Sequence, residues 1–325
     1  MRRIGITTTV PSEVIWAAGA VPVDLNNIFI TSSERERFIR IAELGGYPRN
    51  ICSWIKGIYG VLRDDPSIQT VVAVTQGDCS NTHALMETLQ LRGIETIPFA
   101  YPYGREPETL QYEIEKLAER FGTDVKSAED KIREFENIRI NLDLLDKMTW
   151  NDDLISGSEN HLWLVSSSDF NGDPERFSDE LSKLLAEAES RKPFTEKVRL
   201  GFMGVPPIID DIYETAENLG GRVVFNEIQR QFSMPERGSG IVEQYLAYTY
   251  PYDIFHRLNF IYREIEKRKI RGMIHYVQSF CHRHIEDLIV REKLTIPVLT
   301  IEGESPGKMD ERTKIRLQAF IEMLQ

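Results

Sequence analysis

The chain has 325 residues, 41% of them hydrophobic, with a formal net charge of −12 and a pI near 5.2. That length and apolar content suit two domains, or two with a helical insert, and the acidic balance argues against nucleic-acid binding. No run approaches the ~18 apolar residues of a membrane span, and no apolar signal sequence follows Met1-Arg2-Arg3, so a soluble, cytoplasmic protein is expected.

The first third alternates short β-rich runs with helical patterns. Strands are predicted at Arg3–Thr8, Pro22–Leu25, Thr70–Thr75 and Glu95–Phe99, and helices at Pro11–Ala18, Ser33–Leu44, Ile51–Leu62 and Asn81–Arg92. Such alternation means a parallel sheet covered by helices. From Glu106 to Ser190 charged helical patterns take over: Glu106–Phe121, Asp124–Trp150, Ser156–Ser166 and Pro174–Ser190, with charge-rich faces expected in solvent. Alternation then returns, with strands at Lys197–Met203, Arg222–Phe225, Arg271–Val277 and Pro297–Glu302. The helices between and after them are Ile208–Leu219, Asp253–Lys267, His282–Arg291 and Glu311–Leu324. Gln229–Gly240, with Pro235, Gly238 and Gly240, reads as a loop able to cover a site. The expected fold class is therefore α/β, with two similar parallel-sheet domains and a helical connecting segment. The expected division is 1–105, 106–195 and 196–325.

The two α/β regions repeat each other. Arg3-Ile4-Gly5-Ile6 matches Arg199-Leu200-Gly201-Phe202, and Tyr47-Pro48-Arg49-Asn50-Ile51-Cys52 matches Tyr250-Pro251-Tyr252-Asp253-Ile254-Phe255. Ile58-Tyr59 pairs with Ile261-Tyr262, Cys79 with Cys281, and Ile97-Pro98 with Ile296-Pro297. Order and spacing kept together indicate an internal duplication. Phe255 stands where the first copy has Cys52, so the copies contribute two cysteines and one.

Cys52, Cys79 and Cys281 are the chain's only cysteines. An odd, sparse set fits no disulfide framework and leaves inert buried thiols or metal ligands. Cys79 and Cys281 each fall between a strand and the first turn of a helix, where the dipole favours a thiolate and where open α/β sheets bind ligands. Three converging thiolates would hold a metal centre with one position free. Separations of 27 and 202 residues exclude a local zinc knuckle. Spacing alone leaves open both zinc, with His83, His282 or His284 as a fourth ligand, and an iron–sulfur cluster with one exposed iron. A phosphate loop and a nucleophile elbow are both missing from the sequence.

The segment Thr9-Val10-Pro11-Ser12-Glu13-Val14-Ile15-Trp16-Ala17-Ala18-Gly19-Ala20-Val21-Pro22-Val23 resembles the opening of the 2-hydroxyacyl-CoA dehydratase and benzoyl-CoA reductase family. The close resembles it too: Phe280-Cys281, Ile296-Pro297-Val298-Leu299 with Glu302, then Arg316, Ala319-Phe320 and Glu322-Met323-Leu324. The resemblance implies one oxygen-sensitive [4Fe-4S] cluster per chain, held by Cys52, Cys79 and Cys281 with an open iron. It further implies a homodimer or a related second subunit, and an acyl-CoA-like substrate. A separate ATP-hydrolysing iron–sulfur activator would donate one electron, which accounts for the missing nucleotide motif. Other readings are a non-catalytic iron–sulfur protein that transfers electrons or carries a cluster, and a zinc-bound structural or binding module.

Fold logic supplies further site candidates. Thr8, within Thr7-Thr8-Thr9, ends the first strand and either meets substrate or caps a helix. Glu13 suits a first-turn dipole partner or capping carboxylate. His284 can donate a hydrogen bond to a cluster sulfur. Glu302 and Glu304 follow the last strand and serve as a proton carrier or as surface ion-pair partners.

Overall fold

The computed structural model describes residues 1–195 and 198–325. Glu196 and Lys197 lie outside the described residues, and with them the first residue of the strand expected at Lys197 and the boundary expected at 196. The chain divides into two units.

In the first copy the order is β1 (Arg3–Ile6), α1 (Ser12–Ala17), β2 (Val21–Asp24), α2 (Leu25–Thr31), α3 (Arg35–Leu44), α4 (Ser53–Asp64), β3 (Ile68–Gln76), α5 (Thr82–Gln90) and β4 (Glu95–Ala100). Then come α6 (Pro107–Phe121), α7 (Val125–Trp150), α8 (Gly157–Ser166) and α9 (Pro174–Ala188). The second copy runs β5 (Val198–Gly204), α10 (Ile212–Asn218), β6 (Gly221–Asn226), α11 (Glu227–Phe232), α12 (Ile241–Ala247), α13 (Ile254–Arg268) and β7 (Gly272–Gln278). A 3₁₀ turn (His282–Glu286), α14 (Asp287–Lys293), β8 (Val298–Gly303) and α15 (Glu311–Leu324) complete it.

The first unit, residues 1–139, 166–177 and 234–253, carries a parallel sheet in the order β2-β1-β3-β4. Its central strands are apolar on both faces, as a sheet covered on both sides requires: Ile4, Ile6 and Val71–Val74 are fully buried. The two prolines within strands, Pro22 and Pro98, fall on the outer strands β2 and β4, where a missing N–H costs least. The second unit, residues 140–165, 178–233 and 254–325, has a parallel sheet in the order β6-β5-β7-β8. The fold class is thus the expected one: α/β, with two similar parallel-sheet domains.

Ladder register makes the duplication concrete. Gly5 sits opposite Val71 in one sheet, and Gly201 opposite Met273 in the other. Val71 and Met273 differ in number by the same 202 residues as Cys79 and Cys281. Register also corrects one sequence pairing. Val72 faces Ile97 and Ile274 faces Leu299, so Leu299, not Ile296, is the counterpart of Ile97.

Four local expectations change. Leu25–Thr31 is a helix that its Asn26-Asn27 pair conceals, nucleated by the Asp24 carboxylate accepting from the Asn26 N–H at 3.0 Å. The expected loop Gln229–Gly240 begins as α11, and α12 follows directly after Gly240. The helix expected over His282–Arg291 opens as a 3₁₀ turn. Charged faces on α7 are also not all solvated, for Arg139 and Asp146 are buried.

Candidate functional site

In the first unit, chain order reverses direction between β1 and β3, so the crevice at their carboxyl ends is where an open α/β sheet takes a ligand. Three segments meet that edge. Thr7–Val10 leaves β1, Gly77-Asp78-Cys79 leaves β3, and α4 starts there because it runs back against the strands. Cys52 is the N-cap residue of α4, and its carbonyl accepts from the Lys56 N–H at 3.2 Å. Lys56 is itself buried; its ammonium donates to Glu43 at 2.9 Å and to the Arg49 carbonyl at 3.1 Å, fixing the approach to Cys52. The placement of α4 depends on Gly57 and Gly60, which face Phe29 and the Phe38 backbone too closely for any side chain.

Cys79 is set by a turn only glycine makes easily. Gly77 has φ +98°, and a Cβ there would stand 2.7 Å from the Pro251 Cβ. The Tyr250 hydroxyl donates to Asp78 Oδ1 at 3.2 Å, and the Cys79 carbonyl accepts from the Thr82 N–H at 3.0 Å. His83, on the first turn of α5, places Nε2 3.0 Å from the Thr75 carbonyl.

The threonine run is buried and unequally engaged. Thr7 Oγ1 accepts from the Val74 N–H at 3.1 Å, tying the ends of β1 and β3 together. Thr8 is buried, and the Thr9 carbonyl accepts from the Tyr101 hydroxyl at 3.0 Å. The hydroxyls of Thr9 and Thr82 are buried with no hydrogen-bond partner in the structure. None of the three threonines caps α1, whose N-cap position is Pro11 with no side-chain bond. Glu13 does lie in the first turn, yet it is fully buried and engaged. Arg139 donates to it at 2.6 Å, Tyr245 at 2.6 Å and Gln244 at 3.1 Å. Burial raises the pKa of Tyr101 and Tyr245 well above the ordinary phenol value, so both stay protonated as donors.

In the second unit Cys281 follows β7. Its N–H donates to the Gln278 carbonyl at 3.1 Å, and its carbonyl accepts from the His284 N–H at 3.1 Å, which starts the 3₁₀ turn. Phe280, half exposed, adopts φ +64°, a conformation uncommon for an aromatic residue, and this bend directs the chain into the turn. His282 and His284 are exposed on the turn. Glu302, also exposed, accepts from the Ser279 hydroxyl at 2.7 Å, and the Glu304 carbonyl accepts from Gln278 at 2.9 Å. Beneath the turn Arg257, fully buried, grips Glu227 at 3.0 and 2.9 Å and Glu286 at 2.9 Å. Sequence reasoning did not single out Arg257, Glu286, Asp78 or Tyr250, for the Arg257–Glu286 and Tyr250–Asp78 contacts join residues 29 and 172 apart.

None of the three cysteines forms a disulfide. Among the described residues no three His, Cys, Asp or Glu side chains gather into a group able to hold a metal ion. Among the same residues no helix is long and apolar enough to cross a membrane.

Two parallel α/β units with one strand order, bearing thiols at the carboxyl edges of both sheets, define a duplicated α/β protein. The family model described as 2-hydroxyglutaryl-CoA dehydratase, D-component, matches residues 7–324, and the chain belongs to that family of dehydratase components. No curated protein matches the chain.

Proposed function

We propose that the chain is the cluster-bearing subunit of an ATP-activated radical dehydratase or reductase for an acyl-CoA-like substrate, with Cys52, Cys79 and Cys281 holding one [4Fe-4S] cluster. The carrying observation is positional. Cys79 and Cys281 follow equivalent central strands of two units with equivalent register, and Cys52 heads a helix that begins at the same sheet edge as Cys79. The donor chemistry fits. Cys52 and Cys281 are the N-caps of helical turns, where the dipole favours thiolate, and Cys79 lies two residues before the N-cap of α5. The absence of a fourth cysteine would leave one iron without a protein sulfur.

When bound, the cluster supplies a one-electron relay and an open Lewis-acidic iron. The chain's own residues supply the surroundings. The unpartnered Thr9 and Thr82 hydroxyls offer donors within a buried edge, next to the Thr8 candidate. Glu302 and His284, both exposed, would carry protons or meet a partner surface. Glu13, held by three donors, orients α1 and takes no proton role in this reading. Membership of the D-component family implies an activator component as partner. We assign that partner the ATP hydrolysis, and a dimer with a like or related subunit, in the cytoplasm.

Anaerobic purification followed by iron, sulfide and zinc analysis tests the assignment. About four irons and four sulfides per chain are expected, falling sharply in Cys52→Ala. One zinc without sulfide would overturn the reading in favour of a structural metal. A stable cluster with no turnover of any acyl-CoA would instead indicate an electron carrier.

A further inference from the structure

The second unit contains a chain of charges that the catalytic reading does not use. Glu227 at the start of α11 and Arg257 in the first turn of α13 are both fully buried and joined by two hydrogen bonds, at 3.0 and 2.9 Å. Arg257 continues to Glu286 at 2.9 Å, and Glu286 accepts from Arg283 at 3.2 Å. The Arg257 guanidinium also donates to the Gly204 carbonyl, 3.4 Å away at the end of β5. Two positive and two negative groups therefore link α11, α13 and β5 to the 3₁₀ turn. Cys281 is the N-cap of that turn and Glu286 its last residue.

The first copy of the duplication shows that the fold does not require these charges. Register places Asn226 opposite Phe202 as Asp24 is opposite Ile6, so Glu227 corresponds to Leu25. The Cys52–Phe255 match sets Arg257 against Trp54. The Cys79–Cys281 match sets Arg283 against Asn81 and Glu286 against Ala84. Where the second copy carries four charges, the first carries three apolar side chains and an amide. Buried ion pairs seldom outperform well-packed apolar residues in stability, but they fix geometry. The difference between the copies falls directly under a predicted ligand.

We propose that Glu227, Arg257, Glu286 and Arg283 act as positioning residues for Cys281, clamping its turn with charges that cancel. The purpose rests on the cluster reading; the clamp itself does not. Two readouts separate them, in full-length wild type, Glu286→Ala and Glu286→Gln. In metal-free protein, amide hydrogen exchange across residues 281–286 is expected to accelerate about tenfold in Glu286→Ala, with β7 unchanged. Glu286→Gln, which keeps an acceptor for Arg257, should restore most of the protection. In cluster-loaded protein, loss of one negative charge in either variant should favour the reduced cluster about tenfold, a rise of about 59 mV for one electron, with iron content unchanged. Unaltered exchange at 281–286 in Glu286→Ala, or exchange rising equally throughout the unit, overturns the clamp. If wild type binds no iron, the cluster reading fails and the exchange experiment still decides the positioning role.

Discussion

Gly60 offers a test in which two effects oppose each other in sign. It lies inside α4, the helix headed by Cys52. In an open helix, glycine to alanine stabilises by about 0.8–1.0 kcal/mol. Here a Cβ would stand 2.6 Å from both the backbone carbonyl carbon and the Cα of Phe38, in the middle of α3. Carbon atoms pack at ~3.5–4.0 Å, so one helix would have to retreat by about an ångström. The obstruction is helical backbone, which no rotamer change relieves, and overpacking of this kind costs about 1–3 kcal/mol or more. Because backbone cannot yield, the clash falls in the upper part of that range, about 2–3 kcal/mol, and outweighs the propensity gain, leaving Gly60→Ala destabilised by roughly 1–2 kcal/mol. For a unit of about 150–250 residues that lowers Tm by roughly 2–8 °C. Calorimetry of the full chain would read it, and iron analysis of the same sample would show whether displacing α4 also weakens retention at Cys52. A Gly60→Ala protein as stable as wild type, or more so, would refute the close-packing argument and with it the account of how α4 is placed.

The second unit should be sensitive at Asp146, which accepts from Arg268 at 2.9 and 2.6 Å and from Arg230 at 2.9 Å. Asp146→Asn leaves fully buried Arg268 short of its main counter-charge and should cost about 3–5 kcal/mol in urea unfolding, against at most about 1 kcal/mol for exposed Asp130→Asn. Burial alone would raise the Asp146 pKa, but the charges of Arg268 and Arg230 outweigh it and hold it well below the usual carboxylate range. The stability it confers is therefore fully present above the unfolded value near 3.8 and is lost as pH falls through the lower folded value. Asp169 behaves in the opposite sense: burial, then the neighbouring Asp24 charge, push it up to about 7. Its contribution is present below pH ~3.8 and lost as pH rises towards 7, with a slope of at most about 1.4 kcal/mol per pH unit. Asp169→Asn should flatten wild-type stability between pH 4 and 7 (roughly the window those values define), and an unchanged slope would count against the buried Asp24–Asp169 pair as its source.

What the sequence revealed and what it hid divide along physical lines. Strands such as Thr70–Thr75 were legible because a sheet covered on both faces demands an unbroken apolar run, and the cysteines stood out because each follows a strand or precedes a helix. Leu25–Thr31 was hidden because its asparagines look like a loop, and the Asp24 cap matters only once β2 has delivered it. The charged faces of α7 read as solvated because charge periodicity on a helix gives no account of distant partners. Arg139 finds Glu13, 126 residues earlier, and Asp146 finds Arg268, 122 residues later. The same blindness concealed Arg257.

If the chain holds the proposed cluster, the inequality of the two copies is what an open-site cluster would ask of a duplicated protein. Two identical units would offer matched ligand sets, two thiols and two, which closes a cubane as the usual four cysteines do. With Phe255 at the position matching Cys52, three thiols remain and one cluster position would stay open. Cys281 is then alone in its unit, without the partner thiol that Cys79 has in Cys52. A single ligand can swing about its backbone unless something else fixes the turn that bears it. In the first unit Gly77 against Pro251 and Tyr250 on Asp78 restrain the Cys79 turn. The second unit has Phe280 bent into a left-handed conformation and a buried arginine bridging two carboxylates. On this reasoning the missing second cysteine and the four charges of the second unit belong together, and placing a thiol at position 255 should lessen the dependence of Cys281 on Glu286.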